Sequence, residues 1–242
     1  MTAAIAAAKK GSSRLPRIPQ LSDPSIYTRP FAGFLFDMDG TIINSFAATQ
    51  RAWGAWARTN GIDPETFIHT MHGVRGVDLI GGMGLPHLDP AEESAKVLAA
   101  EMADIEGIVP IPGAIGFLAN LPPHAWAVVT SAPRDLALRR LGAAGITPPN
   151  AMVTAEDVAI GKPDPACFRL GAERLGFRPQ DCLVFEDAHA GVTAGELAGA
   201  SIMVVTATHD LMAHTHHAKM TSYEALSIST DDAGWISLVQ AG

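Results

Sequence analysis

The sequence predicts an α/β fold in which a doubly wound parallel sheet carries helices on both faces and an α-helical cap is inserted after the first strand. Two observations support this prediction. From about residue 111 onward, short apolar runs alternate with amphipathic segments, as expected of a parallel sheet with helical crossovers. Before that point, one apolar run is followed by a long stretch, 45–110, that reads as several short helices.

The first predicted strand is the apolar run 33–36, and an acidic turn follows it directly. Alternation along an extended chain sends Asp37 and Asp39 to the same side. Two carboxylates held together at the end of a buried strand repel each other, so the pattern indicates a cation or a reaction. An ordinary Asp-Gly turn is the alternative for this motif taken alone. An EF-hand calcium loop does not fit, because its glycine belongs at the sixth position and no acidic residue closes a twelve-residue loop here.

The chain divides into three predicted parts. Residues 1–29 are rich in Ala, Ser and Pro without a convincing period, which predicts a flexible N-terminal extension. Residues 30–44 and 111–242 are predicted to form the α/β core. Residues 45–110, called the cap segment below, are predicted to form the helical cap.

Local signals give the elements their order. In the cap segment, one amphipathic helix is expected at 45–59, and Asp89 is expected to cap a second helix that continues to Glu101. A proline-rich stretch at 110–113 is expected to lead stiffly back into the core. The remaining predicted strands lie at 125–130, 151–154, 181–185 and 201–206. Three further helices are predicted: one that Ser131 caps, one at 165–175 and one at 190–198.

Polar residues follow the predicted strands of the core. In a parallel doubly wound sheet the ligand lies at the carboxyl ends of the strands. The polar residues that this rule brings together are Asp37, Asp39, Thr130, Ser131, Glu186 and Asp187. Their convergence outweighs the plain-turn alternative and predicts a catalytic site.

Composition limits the partners. The net charge is −8, although residues 1–30 carry five basic side chains and one acidic one. An acidic body argues against nucleic acid as the main partner. No apolar run has the length of a transmembrane helix, and the N-terminus lacks the pattern of a secretory signal. The two cysteines, Cys167 and Cys182, offer no disulfide framework. We therefore expect a cytoplasmic protein, a monomer or weak homodimer, that binds a small phosphorylated metabolite and no membrane.

The strand-end carboxylates permit phosphoryl transfer. Asp37 is expected to attack phosphorus and form an aspartyl-phosphate, which divides a difficult transfer into two easier steps. Asp39 is expected to protonate the leaving alkoxide and later to deprotonate the attacking water. Mg²⁺ prefers oxygen ligands, and Asp37, the Asp39 carbonyl, Asp187 and Glu186 are the expected set. The cation would reduce the repulsion between the nucleophile and the phosphate.

Further residues are expected to hold the phosphate. Ser131 and the amide of Ala132, at the start of a predicted helix, offer donors to phosphate oxygens. Lys162 in the sequence GKPDP would bring a fixed positive charge to the phosphate and to Asp37. A lone loop lysine is ordinarily solvated, but its place between two strand ends favours the functional interpretation.

Four motifs in order resemble those of the haloacid dehalogenase (HAD) superfamily: DMDGT at 37–41, VVTS at 128–131, GKPDP at 161–165 and VFEDA at 184–188. The resemblance covers about 31–208. It implies a Rossmann-type core with a helical cap inserted after the first motif, which agrees with the boundaries above.

The resemblance also implies residue roles. In the family the first aspartate is the nucleophile and the second the general acid and base, which here are Asp37 and Asp39. The phosphate-binding hydroxyl of the second motif corresponds to Ser131, with Thr130 as the alternative. The motif lysine corresponds to Lys162, and the metal-binding acids correspond to Asp187 and Glu186. The threonine that closes the first motif corresponds to Thr41 and is assigned to phosphate binding.

Within the superfamily, Asp39 argues against true dehalogenases, since a departing halide needs no proton. Sugar- and polyol-phosphate phosphatases, notably glycerol-3-phosphatase and 2-deoxyglucose-6-phosphatase, have stretches similar to HGVR at 72–75, VPIPGA at 109–114, WAVVTSAPRD at 126–135 and FEDAHAGVTAG at 185–195. Asn44 stands where many members have aspartate, although the polyol-phosphate branch also lacks one. A β-phosphoglucomutase-like sugar phosphomutase is the alternative activity. Arg75 in the cap segment, aided by Arg134, would then hold a second phosphate or a sugar hydroxyl, and His72 is a further candidate for substrate contact.

Two other interpretations are set aside. The histidines His209, His214, His216 and His217 suggest a zinc site, but no cysteine or acid stands at ligand spacing around them. A non-catalytic binding protein on an enzyme-like fold is disfavoured because the set of Asp37, Asp39, Ser131, Lys162 and Asp187 is complete.

Overall fold

The computed structural model describes residues 24–67, 72–209 and 215–240. The predicted N-terminal extension therefore lies mostly outside the described residues. Its last part, Pro24–Tyr27, forms one turn of 3₁₀-helix. Ile26 in that turn is buried against the core, so packed structure begins ahead of residue 30.

Ten strands and eight α-helices occur in the described ranges. The strands are β1 (Gly33–Phe36), β2 (Ile43–Asn44), β3 (Val109–Pro110), β4 (Trp126–Val129), β5 (Ala151–Val153), β6 (Cys182–Glu186), β7 (Ser201–Val205), β8 (Ala218–Met220), β9 (Leu226–Thr230) and β10 (Ile236–Gln240). The helices are α1 (Phe46–Thr59), α2 (Pro64–Phe67), α3 (Gly76–Gly82), α4 (Pro90–Ala103), α5 (Ala114–Ala119), α6 (Arg134–Ala143), α7 (Ala166–Leu175) and α8 (His189–Ala198).

A six-stranded parallel sheet forms the centre of the molecule, with the strand order β5-β4-β1-β6-β7-β8. The predicted fold class is confirmed. Strand β1 lies between β4 and β6, and its four residues are all buried. The ends of β1, β4 and β6 therefore meet at one edge of the sheet, which is where the acidic motif was expected to converge.

The two faces of the sheet bury different residues. Phe34 and Phe36 pack with Phe117, Phe185 and Tyr223 in a cluster of aromatic rings on one face. Leu35, which points the other way along β1, joins Val129, Val184 and Phe168 below α7 and α8. Burying apolar side chains on both faces is what makes an uninterrupted apolar strand stable at this position.

The helices of the cap segment have an apolar cluster of their own. Trp53 and Trp56 of α1 pack against Phe67, Ile80 and Val97. Asp89 caps α4 by accepting hydrogen bonds from the amides of the first turn, as predicted. Strands β2 and β3 pair with each other and hold the two ends of the cap segment together. The proposed boundary between core and cap stays a prediction.

One local expectation was wrong, and three strands were not predicted. Ser131 does not cap the helix after β4: α6 begins at Arg134, and the Ser131 hydroxyl bonds elsewhere. The strands beyond Val205 were not predicted. Strand β8 joins the edge of the sheet, and β9 pairs with β10 in an antiparallel hairpin. In the ranges that the structure describes, no helix is long and apolar enough to cross a membrane.

Candidate active site

A cavity of about 270 Å³ opens at the carboxyl edge of the sheet, between the core and the cap segment. The core side includes the ends of β1, β4 and β6, and the cap side includes α1, α4 and the loop before α3. Residues from the sequence prediction that border it are Asp37, Asp39, His72, Arg75, Thr130, Ser131, Ala132 and Asp187.

Asp37 and Lys162 form a buried ion pair at the floor of this cavity. The Lys162 Nζ lies 2.6 Å from Asp37 Oδ1 and 2.7 Å from Glu186 Oε1, and it also donates to the Val129 carbonyl at 3.1 Å. The Lys162 side chain is only 1% exposed. The predicted functional lysine therefore lies against Asp37, the predicted nucleophile.

Three hydrogen bonds hold the carboxylate of Glu186 in place. Its Oε1 accepts from Lys162, while its Oε2 accepts from the amides of Asp187 at 2.8 Å and Ala188 at 2.9 Å. A β-carbon at Gly191 would lie 1.6 Å from Glu186 Oε1, so only glycine at this position of α8 leaves room for the carboxylate. These bonds give Glu186 a structural role beside any part it takes in binding a metal.

Asp187 is buried beside Asp37. Its Oδ1 accepts from the Thr41 hydroxyl at 3.4 Å, and its Oδ2 lies 3.2 Å from His209 Nε2. Burial, opposed by the nearby imidazole of His209, raises the pKa of Asp187 to about 6. Thr41 is fully buried, so its hydroxyl faces Asp187 and is not exposed to the cavity.

The charges at this floor do not balance within the described residues. Three buried carboxylates face one lysine, and burial raises the pKa of Asp37 well above its ordinary value, with further increases from Glu186 and Asp187. Burial alone would lower the pKa of Lys162, but the attraction of Asp37 and Glu186 outweighs it and raises that pKa. Lys162 therefore stays protonated, and a further cation would stabilise the ionised acids.

The donor set fits Mg²⁺. Asp37, Glu186 and Asp187 each offer a carboxylate oxygen, and these oxygens lie within 4.8 Å of one another. Hard oxygen ligands are what Mg²⁺ prefers. Because the carboxylates outnumber the lysine in a water-poor site, a divalent ion would also correct the excess of negative charge.

Asp39, the second acid of the motif, lies at the cavity wall. Its Oδ1 accepts from the Ser45 hydroxyl at 2.5 Å and from Arg140 Nη1 at 3.0 Å. Gly40, which follows it, has φ of +84°, a conformation that favours glycine. The turn directs Asp37 and Asp39 into one cavity, as the alternation had predicted.

Arg140 was missed by the sequence analysis. It comes from α6, and its Nη2 donates at 2.9 Å both to Thr49 of α1 and to Glu101 of α4. In the sequence it is one of two adjacent arginines in an ordinary amphipathic segment. Helical spacing does separate Arg140 from the exposed Arg139, because Arg140 follows Leu136 by four residues and therefore lies on the buried face of α6.

The expected phosphate donors of the second motif are engaged with protein groups. The Ser131 hydroxyl donates to the carbonyl of Gly73 in the cap segment at 2.8 Å. The Ala132 amide donates to the Thr130 hydroxyl at 3.1 Å, so it is not directed outward from the start of a helix. All three residues border the cavity, but binding phosphate through Ser131 or Ala132 would require exchanging these bonds.

Arg75 does not offer a free charge to a second phosphate. Its Nε and Nη2 hold both carboxylate oxygens of Asp78, and its remaining donors reach the carbonyls of Ala155, Val158 and Ala159. All five N–H donors of the guanidinium are thus used. The expectation that Arg75 binds a phosphate is not supported by this geometry; the residue instead ties the cap segment to the core.

Arg134 and His72 differ in placement. Arg134 is exposed on the first turn of α6 and is not among the described residues that border the cavity. His72 borders the cavity, where its ring stacks on Phe46 at 5.8 Å and lies 4.6 Å from the ring of His209. His209 was grouped with the C-terminal histidines from sequence, yet it belongs to this site.

The remaining C-terminal histidines lie elsewhere. His217 Nε2 is 2.6 Å from Glu196 Oε1, and these two residues with His216 place possible ligand atoms within 4.8 Å of one another. The zinc interpretation had been set aside partly because no acid stood nearby in sequence; α8 supplies one in three dimensions. His214 lies outside the described residues.

Comparisons with known proteins agree with this fold. A family model described as haloacid dehalogenase-like hydrolase matches residues 31–199. Hexitol phosphatase A of Escherichia coli (strain K12) is 41% identical over 182 residues, which cover 74% of this chain and 84% of that protein. Glycerol-1-phosphate phosphohydrolase 1 of Saccharomyces cerevisiae is 37% identical over 190 residues, covering 73% and 75%. The crystal structure of a hydrolase from Pseudomonas syringae, 27% identical, superposes with a TM-score of 0.70 and covers 78% of this chain and 92% of that one.

Proposed function

The chain belongs to the haloacid dehalogenase-like hydrolase family, and from this premise we propose that it is a Mg²⁺-dependent phosphatase. It would hydrolyse the phosphate monoester of a small sugar or polyol through an aspartyl-phosphate on Asp37. The observation that carries this proposal is the buried contact of 2.6 Å between Asp37 and Lys162, with Asp187 beside it and Asp39 in the same cavity. The names of the two relatives, which act on a hexitol phosphate and a glycerol phosphate, support the substrate class.

The side chains have distinct tasks in the first half of the reaction. Lys162 holds one oxygen of Asp37, so the other carboxylate oxygen is oriented for attack on phosphorus. Asp39, in its protonated form, gives its proton to the ester oxygen as the P–O bond breaks and the alcohol leaves. An alkoxide is a poor leaving group, so this proton transfer matters for a sugar or polyol.

The second half reverses the role of Asp39. As a carboxylate it accepts a proton from water, whose oxygen attacks phosphorus and releases Asp37 with inorganic phosphate. Asp37, Asp187 and Glu186 would hold Mg²⁺, which supplies charge stabilisation for the phosphoryl group. The cap segment would cover the cavity and limit the access of water while the ester is formed. In these steps, Ser131 needs only to exchange its hydrogen bond to the Gly73 carbonyl for one to the phosphate.

The phosphomutase alternative needs a second phosphate subsite. Arg75, the expected ligand for that phosphate, already uses its donors on Asp78 and backbone carbonyls. Arg140 faces the two carboxylates of Asp39 and Glu101. The arginines at the cavity are therefore neutralised, which favours a substrate with one phosphate and an uncharged alcohol.

The test replaces the nucleophile and compares it with an exposed aspartate. Wild-type protein, Asp37→Asn and the control Asp135→Asn are assayed for phosphate release from glycerol, hexitol, hexose and pentose phosphates, with Mg²⁺ and with EDTA. We expect Asp37→Asn to lose on the order of 10³-fold or more of the activity, because a nucleophile cannot be replaced by its amide. Activity of Asp135→Asn should match wild type.

Acid quenching of wild-type protein during turnover should trap a phosphorylated chain that Asp37→Asn does not form. Retained phosphate release by Asp37→Asn would contradict the mechanism. Isomerised sugar phosphate without free phosphate would instead favour the mutase. Full activity after the removal of divalent metal would contradict the role of Mg²⁺.

A further inference from the structure

Arg140 links three parts of the molecule at one buried point. The residue belongs to α6 of the core, and its side chain is only 5% exposed. Its Nη1 donates to Asp39 of the catalytic turn at 3.0 Å, and its Nη2 donates at 2.9 Å to Thr49 of α1 and to Glu101 of α4. A buried guanidinium with partners on three elements has one well-defined position.

The contact with Arg140 constrains the orientation of Asp39. Both side-chain hydrogen bonds of this carboxylate, from Arg140 Nη1 and from the Ser45 hydroxyl, are accepted by the same oxygen, Oδ1. The planar carboxylate is therefore fixed about its axis while Oδ2 is left for a proton and a substrate oxygen. General acid catalysis depends on such placement, because the acid must lie within hydrogen-bond reach of the departing oxygen.

The arrangement also balances charge. Glu101 accepts from the same guanidinium and shares its positive charge. The group of Arg140, Asp39 and Glu101 carries one net negative charge when both acids are ionised.

We propose that Arg140 is a positioning residue for the acid–base group Asp39, and that Glu101 and Thr49 hold Arg140 in place from the cap segment. This inference rests on the proposed phosphatase function, in which Asp39 transfers the proton. It adds that the orientation of Asp39 depends on helices α1 and α4 lying against α6. Arg140 itself makes no contact with phosphorus or with the attacking water.

The leaving group distinguishes this role from a general structural one. Breaking the ester bond of an alkyl phosphate requires a proton from Asp39 to the alkoxide oxygen. The phenolate that leaves 4-nitrophenyl phosphate is stable without that proton. A misplaced Asp39 should therefore slow the formation of the aspartyl-phosphate from the first substrate far more than from the second.

The experiment measures single-turnover rates of phosphoenzyme formation with Mg²⁺. The substrates are 4-nitrophenyl phosphate and whichever alkyl phosphate of the panel above is hydrolysed fastest. The variants are Arg140→Met and the matched control Arg139→Met, whose side chain is exposed on the same helix. We expect Arg140→Met to lose 10²- to 10⁴-fold with the alkyl phosphate, the usual contribution of a general acid, and less than 10-fold with the aryl phosphate. Arg139→Met should be unchanged with both.

Two gentler variants protect the test against a folding defect. Thr49→Val and Glu101→Gln each alter one partner of Arg140 and leave the arginine in place. Each should show a smaller loss of the same kind, selective for the alkyl substrate. The loss should appear in the single-turnover rate at saturating substrate, with little change in the substrate concentration that gives half of that rate. Thermal melts verify that the variants are folded.

Equal losses with both substrates in all three variants would overturn the proposal, as would unchanged or faster rates with the alkyl phosphate. Failure of the proposed function has a different signature. In that case wild-type protein would hydrolyse neither class of ester, or Asp37→Asn would remain active.

Discussion

The α-carbon of Gly40 lies against the carboxylate of Asp187: a β-carbon at Gly40 would be 1.9 Å from Asp187 Oδ2. Glycine is therefore needed here for two reasons, since φ at this residue is also +84°. The turn that positions Asp37 and Asp39 can approach the third acid only because Gly40 has no side chain. The close approach brings the acids of β1 and β6 to one site.

We predict that Gly40→Ala lowers both stability and activity. The left-handed backbone alone costs about 1–2 kcal/mol for alanine, and the added carbon must also displace Asp187. Gly61→Ala is the matched control, because φ there is +69° and no atom lies within 4 Å of the new carbon. Denaturant unfolding should show the backbone cost in both variants, and only Gly40→Ala should lose Mg²⁺-dependent phosphate release. Equal stability loss with normal activity in Gly40→Ala would contradict the steric argument.

We predict opposite effects from two helical glycine substitutions. Gly116→Ala in α5 meets open space, so it should stabilise the protein by up to about 1 kcal/mol through helix propensity. Gly191→Ala in α8 should destabilise it, because its β-carbon would lie 1.6 Å from Glu186 Oε1 and disturb the contact with Lys162. Thermal unfolding of both variants tests the pair. A stabilised Gly191→Ala would show that Glu186 can move at little cost.

We predict that Lys162→Met destabilises the fold by about 3–5 kcal/mol near neutral pH, because it leaves Asp37 and Glu186 buried without their cation. The loss should shrink as the pH falls, since protonation removes the unpaired charges. Lys96→Met is the control: this lysine forms an ion pair with Glu93, but its side chain is 66% exposed and little change is expected. Unfolding measured in denaturant at several pH values distinguishes the two, and a loss that grows toward acid would refute the explanation.

We predict a pH-dependent contribution from Asp157. Hydrogen bonds from Arg174 and from Thr154 lower the pKa of Asp157 to about 2. A carboxyl whose pKa is lower in the folded state stabilises the fold above its unfolded pKa of about 4 and loses that effect as the pH falls through about 2. Asp157→Asn should therefore be less stable than wild type by about 1 kcal/mol at neutral pH, solvent screening included, with the difference vanishing in acid. The exposed Asp232→Asn should show no such trend.

We predict that neither cysteine reacts with thiol reagents in the folded protein. Burial raises the pKa of Cys167 to about 11 and that of Cys182 to about 12. The thiolate is the reactive form, and both side chains lie in the core, so reaction at pH 8 should be slow. Colorimetric titration should find two thiols after unfolding and none in the native protein within the same time. Rapid reaction of the native protein would show that at least one thiol is accessible to the reagent.

Much of the fold could be predicted because the signals are local. The apolar run 33–36 and the runs that became β4, β6 and β7 are long enough in apolar residues to indicate buried strands. Strand β8 was not predicted because it has only three residues, and the hairpin of β9 and β10 was not predicted because exposed residues interrupt its apolar pattern. Membership in the hydrolase family was also predictable, since each of its four motifs is a short unbroken stretch of sequence. The family match confirms this prediction.

The sequence by itself determined the alternation of strands and helices from β4 to β7, the acids at the strand ends, and the motif lysine that reaches Asp37. Only the tertiary structure decided which side chains those groups contact. In the folded chain, Arg75 donates to Asp78 and to backbone carbonyls, and the Ser131 hydroxyl donates to the Gly73 carbonyl. Arg140 is buried between Asp39 and Glu101. The physical reason is that strand and helix patterns depend on residues close together in the sequence. The partner of a buried charge comes instead from an element that is distant in the sequence and packs against it.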